Sequence, residues 1–193
     1  MKAVCIYCGS SDKINPEYLE VARQMGRVIA DRGLQLWYGA GSTGLMGAVA
    51  NGALEAGGEV IGVIPRIFVT PQLAHDGLTR MEVVDSMHQR KQRLATQADA
   101  FIALPGGYGT LEEFFEILTW SQIGLHRKPV GLLNILGYYD SLLAMVEHAR
   151  LEGFIYIEHR ALFASSDSPT ELLDLLQHYQ VPEGLHRWLK RDD

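Results

Sequence analysis

The groups able to do chemistry gather at Leu104-Pro105-Gly106-Gly107-Tyr108-Gly109-Thr110-Leu111-Glu112-Glu113. Three glycines in four positions separate an apolar run, Ala100 to Ala103, from a helix-like one, Phe114 to Trp120. Their missing side chains leave amide N–H groups uncovered and able to converge on an anion. A helix start adds unpaired donors and a partial positive charge, a geometry that holds phosphate or carboxylate. Thr110 suits the N-cap of that helix, which puts Glu113 at N3. The same pair also makes a capping box, each side chain bonding the other's amide. A capping box does not account for Pro105-Gly106-Gly107, because a cap requires neither the proline nor two unrestricted residues in succession.

A second charged group precedes this stretch. Leu78 to Val84 reads as a strand, and Asp85 or Ser86 as the cap of a helix running through Gln97. Arg90, Lys91 and Arg93 stand in its first turns, where cations oppose the helix dipole. A solvated basic face accommodates Lys91 and Arg93, and His88 reads as a structural hydrogen-bonder. The chain has no Gly-Lys-Ser/Thr, so phosphoryl transfer from a triphosphate is disfavoured, and no His or Asp/Glu cluster has metal-ligand spacing. A phosphate cradle with a carboxylate and a guanidinium on adjacent βα units suits nucleotide binding. It suits glycosidic-bond cleavage in particular, since a carboxylate beneath the sugar stabilises an oxocarbenium-like transition state without a metal. Gly106, Gly107, Gly109 and Thr110 would then hold a 5′-phosphate so that C1′ faces Glu113.

Pro105-Gly106-Gly107-x-Gly109-Thr110-x-x-Glu113, preceded by Met87-His88-x-Arg90-Lys91, resembles the paired signature of the LOG ("lonely guy") family of nucleoside 5′-monophosphate phosphoribohydrolases, also labelled "possible lysine decarboxylase". The resemblance covers nearly the whole chain, including the first strand and its Gly9-Ser10-Ser11 turn. It implies hydrolysis of a purine ribonucleoside 5′-monophosphate, AMP or its N6-prenylated (cytokinin) form, to free base and ribose 5-phosphate, and a homodimer. No cofactor or metal is called for. The resemblance places Arg90 in the active site with Glu113, where a guanidinium that keeps its proton orients the carboxylate or stabilises the departing base. Lys91 would bring a point charge near the phosphate or ribose, and Met87 an apolar wall for the base. Ser10 and Gly41 are further candidates for contact with sugar or base. Leu94 stands where family members often carry methionine, a difference that affects packing more than chemistry.

The remaining sequence must position these groups. Its 193 residues suit one α/β domain over residues 1–180 with a tail over 181–193. A net charge of −6 argues against nucleic acid as a partner. No apolar run reaches the ~18 residues of a membrane span, and Met1-Lys2 leads straight into a strand, which together point to the cytoplasm. Cys5 and Cys8 lack a second ligand pair and read as buried, reduced thiols. Strands are expected at Lys2 to Tyr7, Leu34 to Tyr38, Glu59 to Ile64, Val130 to Leu133 and Ala161 to Ala164. Helices are expected at Glu17 to Arg32, Met46 to Ala56, Tyr139 to Glu152 and Ser168 to Tyr179.

Gly39-Ala40-Gly41-Ser42-Thr43-Gly44 matches the dinucleotide pattern Gly-x-Gly-x-x-Gly. It follows the second strand, however, and no acid ends the next one, so a second glycine wall for the substrate is the reading here. Arg66 to Gly77 lacks periodicity and reads as a loop, or lid, over the strand ends. Apolar residues cover most of the helix after Glu113, predicting burial against the sheet on one side and a second subunit on the other. Strand and helix alternate, which predicts a single Rossmann-like, doubly wound parallel sheet of about seven strands with helices on both faces. A non-catalytic nucleotide-binding module of the same fold is the alternative function. A pyridoxal-phosphate decarboxylase is opposed by chain length and by the lack of a Schiff-base lysine context.

Overall fold

Apolar runs alternate with amphipathic ones, and that alternation becomes seven parallel strands, five of whose six connections carry an α-helix. A computed structural model of the chain describes residues 1–185. In chain order the elements are β1 (Ala3–Tyr7), α1 (Pro16–Asp31), β2 (Gln35–Tyr38), α2 (Gly44–Glu55), β3 (Val60–Pro65), β4 (Arg80–Val84), α3 (Met87–Gln97), β5 (Ala100–Ala103), α4 (Tyr108–Gln122), β6 (Val130–Leu133), α5 (Asp140–Leu151), β7 (Phe163–Ser166) and α6 (Pro169–Gln177). The spatial order is β4-β3-β2-β1-β5-β6-β7, every pair parallel. This is the doubly wound sheet expected from the sequence.

Both pleat faces of the central strands are apolar because both are covered. Val4 and Ile6 of β1 join Met25 and Ile29 of α1, Val49 of α2 and Leu172 of α6 in one core layer. Ala3, Cys5 and Tyr7 point the other way, into a layer with Trp37, Leu94 of α3, Phe101 and Phe114 of α4. Winding runs from β1 out to β4, then returns to place β5 against the other side of β1. Strand order therefore reverses between β1 and β5, where an open α/β sheet leaves a crevice at the strands' carboxyl ends. The two loops there are tied together by Leu104 N–H on Tyr7 O at 2.9 Å and Gly9 N–H on Pro105 O at 3.0 Å.

Some boundaries differ from the sequence reading. The last strand lies at Phe163–Ser166, because a 3-10 helix occupies Ile157–Leu162 where that strand was expected to begin. The Arg66 to Gly77 loop opens with a 3-10 turn at Arg66–Phe68 and docks on the glycine turn after β2, with Ser42 N–H on Leu73 O and His75 N–H on Ala40 O, both at 2.9 Å. Of the segment 181–193, Leu185 is buried and its carbonyl takes a hydrogen bond from His159. Residues 186–193 lie outside the described residues. Among the described residues, no helix is long and apolar enough to cross a membrane.

Candidate active site

The turn between β5 and α4 places its donors differently from the capping-box expectation. The helix starts at Tyr108, with Gly107 as its N-cap in an extended conformation (φ −88°, ψ −153°) and no side-chain capping bond. Thr110 and Glu113 are therefore not an N-cap and N3 pair. A glycine reaches the cap geometry unaided, so the helix begins earlier than the threonine. The first turn of a helix has no internal partners for its N–H groups, and here these belong to Tyr108, Gly109 and Thr110. By contrast, Asn15, Ser86 and Ser168 each accept a main-chain N–H at the starts of α1, α3 and α6. A β-carbon on Gly107 or Gly109 would meet no atom within 4 Å, and neither residue has a positive φ. Fold and packing alone would therefore accept a side chain at either position. Gly106 differs, since a β-carbon there would lie 2.1 Å from Thr110 Oγ1.

Two tyrosines after β6, not singled out in the sequence, pin this turn from above. Tyr138 Oη donates to Gly106 O at 2.7 Å and Tyr139 Oη to Leu104 O at 2.6 Å. Asn134 Oδ1 accepts Tyr139 N–H at 2.7 Å and so orients the pair. Their only signal in sequence is an aromatic pair beyond a strand end.

Below the open helix terminus lies a buried ion pair. Arg90 Nη1 donates to Glu113 Oε1 at 2.6 Å, and both side chains are 8% exposed. Arg90 Nε donates to Val63 O at the end of β3, at 3.2 Å. The guanidinium is thereby fixed across three elements, α3, β3 and α4. Burial pushes the Glu113 carboxyl above the ordinary glutamate range, while the Arg90 charge and hydrogen bond pull it back. Stability alone does not favour such a pair, because desolvating two charges offsets most of their attraction. Cys5 and Cys8 are free and buried, and burial pushes both thiols up, so they stay protonated.

Arg90 and Glu113 line a cavity of about 280 Å³ together with Ser10, Met87, Gly107, Gly109, Thr110 and Glu112. Cys8, Gly9 and Met46 complete its wall. A second cavity of about 380 Å³ shares Gly9, Ser10 and Gly107 with it and is walled by Ile14, Tyr18, Leu45, Gly106 and Tyr138. Three of the sequence candidates stand apart from the smaller cavity, Gly106 lining only the second one. Lys91 Nζ is held by Glu112 Oε1 at 2.5 Å and Glu116 Oε1 at 2.9 Å, and its side chain lines a groove with Trp120 and His126 instead. Gly41 packs against Met46, whose sulfur would lie 2.5 Å from a β-carbon there. Arg93 keeps a solvent-exposed side chain but is not unpaired: it makes a two-pronged contact with Glu82 at 2.6 and 3.1 Å and lies over the Trp37 ring.

The Gly39 to Gly44 turn differs from a dinucleotide cradle in one respect. Asp12 Oδ1 accepts Gly44 N–H at 2.8 Å, so a carboxylate of the chain itself occupies the start of α2. Thr43 Oγ1 donates to Ser10 O at 2.8 Å and locks the two loops together. Among the described residues, no group of three or more His, Cys, Asp or Glu side chains is arranged to hold a metal ion.

Comparison with known proteins shows the family and the fold. The model of the family described as "possible lysine decarboxylase" matches residues 46–176. A cytokinin riboside 5′-monophosphate phosphoribohydrolase of Arabidopsis thaliana is 47% identical over 179 residues, 93% of this chain and 82% of that one. The cytokinin riboside 5′-monophosphate phosphoribohydrolase of Rhodococcoides fascians is 54% identical over 155 residues, 80% of this chain and 78% of its own. Among solved structures, the molybdenum cofactor binding protein of Rippkaea orientalis superposes with a TM-score of 0.70 at 26% identity, covering 92% of this chain and 96% of that one. The molybdenum cofactor carrier protein of Chlamydomonas reinhardtii, at TM-score 0.69 and 23% identity over 91% of this chain and 96% of its own, shares the fold.

Proposed function

The chain belongs to the LOG family of nucleoside 5′-monophosphate phosphoribohydrolases, and from that premise we propose that it hydrolyses the N-glycosidic bond of purine ribonucleoside 5′-monophosphates, releasing free base and ribose 5-phosphate. The observation that carries the reading is the buried Arg90–Glu113 pair, set in one cavity with the uncapped start of α4. The 5′-phosphate rests on the amides of Tyr108, Gly109 and Thr110, aided by the helix dipole. This holds the ribose with C1′ over Glu113. As the bond from C1′ to the base nitrogen breaks, its electron pair leaves with the base and positive charge gathers at the sugar. The Glu113 carboxylate stabilises that charge. Water bonds to C1′, and the proton it loses ends on the base. Arg90 holds Oε1, leaving Oε2 for the sugar side.

The smaller cavity falls just under the ~300 Å³ at which ligand pockets usually begin, so the nucleotide extends along Ser10 into the adjoining one. Met87 and Met46 give apolar contact to the base. The relatives are named for cytokinin riboside 5′-monophosphates, and we assign this chain the same substrates, with AMP as the comparison. Decarboxylation through a Schiff base would need a lysine at the reacting carbon. Among the described residues the cavity is lined by none. A non-catalytic nucleotide carrier has no use for a carboxylate desolvated beside a guanidinium. We place the protein in the cytoplasm, as the sequence reading has it, and propose a homodimer because α4 and its C-cap leave Phe115 and Ile123 partly exposed.

The test is incubation of purified protein with N6-isopentenyl-AMP, AMP and the corresponding nucleosides, followed by chromatography for released base. Base is expected from the monophosphates, and the nucleosides should react slower by ~10⁴-fold, as expected when buried donors are left unpaired. Equal rates on nucleoside and monophosphate would overturn the phosphate assignment. No base from any of the four would overturn the hydrolase reading.

A further inference from the structure

Gly39 directly follows β2, in a turn that the sequence offered as a wall for the substrate. Its φ is not in the left-handed region, so its own conformation does not require glycine. The requirement comes from a neighbour. A β-carbon at this position would lie 2.1 Å from Arg90 Nη2 and 3.1 Å from Arg90 Cζ. Two of the three guanidinium nitrogens are accounted for, Nε by Val63 O and Nη1 by Glu113. The third fills the space above the Gly39 α-carbon.

We infer that Gly39 is a positioning residue, the seat against which the Arg90 guanidinium rests so that Nη1 meets Glu113. The turn cannot back away from a larger residue. Ala40 is buried in a left-handed conformation (φ 61°), and its carbonyl is held by His75 N–H at 2.9 Å. Gly41 O is held by Tyr38 Oη at 3.1 Å. Ala40 also packs on Gly62 so closely that a β-carbon on Gly62 would lie 2.6 Å from Ala40 Cβ. The turn is fixed from three sides, so a methyl group on residue 39 must be met by the mobile ends of Arg90 and Met46, whose Cε would lie 2.8 Å away. Flexible ends move at little cost to the fold. The displacement would instead fall on the contact between Arg90 and Glu113.

This inference rests on the hydrolase reading for its kinetic consequence, but it has a readout that needs no substrate. Arg90 pulls the Glu113 carboxyl down against burial, so withdrawing the guanidinium must raise it further. In Gly39→Ala, carbon-detected NMR of the labelled Glu113 carboxyl should show titration at higher pH than in wild type. The melting temperature should stay within a few degrees. Turnover of N6-isopentenyl-AMP should fall at least about tenfold in kcat, with a smaller change in KM, since the phosphate contacts are untouched and only the end of Met46 shifts beside the base. In an Arg90→Ala background the same Gly39→Ala change should add less than about threefold, because no guanidinium remains to be displaced. An unshifted Glu113 titration in Gly39→Ala would overturn the inference, as would an equal loss in both backgrounds. Should wild type release no base, the hydrolase reading fails while the Glu113 titration still decides the seat.

Discussion

Gly109→Ala separates a glycine kept for a ligand from one kept for the fold. Gly109 is the second residue of α4, has no positive φ, and has open space where a β-carbon would stand. Alanine in a helix is favoured over glycine by roughly 0.5–1 kcal/mol, so the folded protein should gain a few tenths to 1 kcal/mol. For a chain of 193 residues this corresponds to a rise of about 1–4 °C in melting temperature. Gly109 lines the cavity together with Glu113. If a phosphate rests there, the methyl group pushes it off at least one amide. A hydrogen bond to a charged group is worth ~1.5–3 kcal/mol, which becomes about a ten- to hundredfold rise in KM. Stability and affinity should therefore move in opposite directions. Gly33→Ala is the control, since its β-carbon would also be free of contacts but its φ is +66°. There alanine should cost ~1 kcal/mol or more, lower the melting temperature by about 2–4 °C, and leave KM alone, because Gly33 lies at the opposite ends of the strands. The assay is differential scanning fluorimetry with steady-state kinetics on N6-isopentenyl-AMP. An unchanged KM in Gly109→Ala, or a melting temperature that falls as in Gly33→Ala, would refute the cradle.

Glu113→Gln should lower kcat by about 10²- to 10⁴-fold, while also lowering stability by up to the ~3–5 kcal/mol seen when one partner of a buried pair is removed; kinetics well below the melting transition check the first effect, and full turnover there would reduce Glu113 to a structural role. Burial raises the Glu113 carboxyl, so the acid limb of the kcat–pH profile should lie above the ~4.3 of a free glutamate. The sign for stability is opposite: a raised carboxyl favours the folded state fully below its unfolded value, and that contribution is lost as pH rises through the folded one, which chemical denaturation at pH 4 to 8 would detect. Arg90→Lys should lower kcat at least about tenfold, because an ammonium cannot bond Val63 O and Glu113 together as the fork does. Arg93→Lys, away from the cavity on Glu82 and Trp37, should lose some stability and keep its kcat.

The alternation that built the sheet was legible because period-2 and period-3.6 patterns are properties of neighbouring residues. The stretch from Pro105 to Glu113 stood out as well, because unusual glycine density has few local explanations. The cap at Thr110 was misplaced for a local reason as well: threonine outranks glycine as a cap only where the backbone needs a side-chain acceptor, and Gly107 meets the geometry without one. Other features depend on approaches across the sheet. Asp12 reaches Gly44 over 32 residues, Tyr138 reaches Gly106 over 32, and Arg90 reaches Gly39 from another crossover. Periodicity carries no information about such pairs. The ion pairs of Lys91 and Arg93 went unseen for the same reason, since their partners Glu112, Glu116 and Glu82 belong to elements that meet α3 only in the fold.

Two glycine turns lie at the carboxyl ends of the strands, and the difference between them supports the proposed place of the phosphate. Each leads into a helix whose first N–H groups need acceptors. At α2 the acceptors come from the chain: Asp12 takes Gly44 N–H, and Gly9 O takes Met46 N–H at 3.2 Å. A second anion there would meet the Asp12 carboxylate, and at close range in a partly buried site that repulsion exceeds what the remaining amides could offer. At α4 no side chain fills this place, and the nearest buried charges are the paired Arg90 and Glu113. The pair sums to near neutrality, so it does not repel a phosphate one turn away. Each member alone would disturb the site: an unpaired Glu113 would repel the phosphate, and an unpaired Arg90 could draw it down onto the place the sugar must occupy. In the proposed substrate pose, pairing them allows a carboxylate to lie within reach of C1′ while the helix terminus beside it still attracts a dianion.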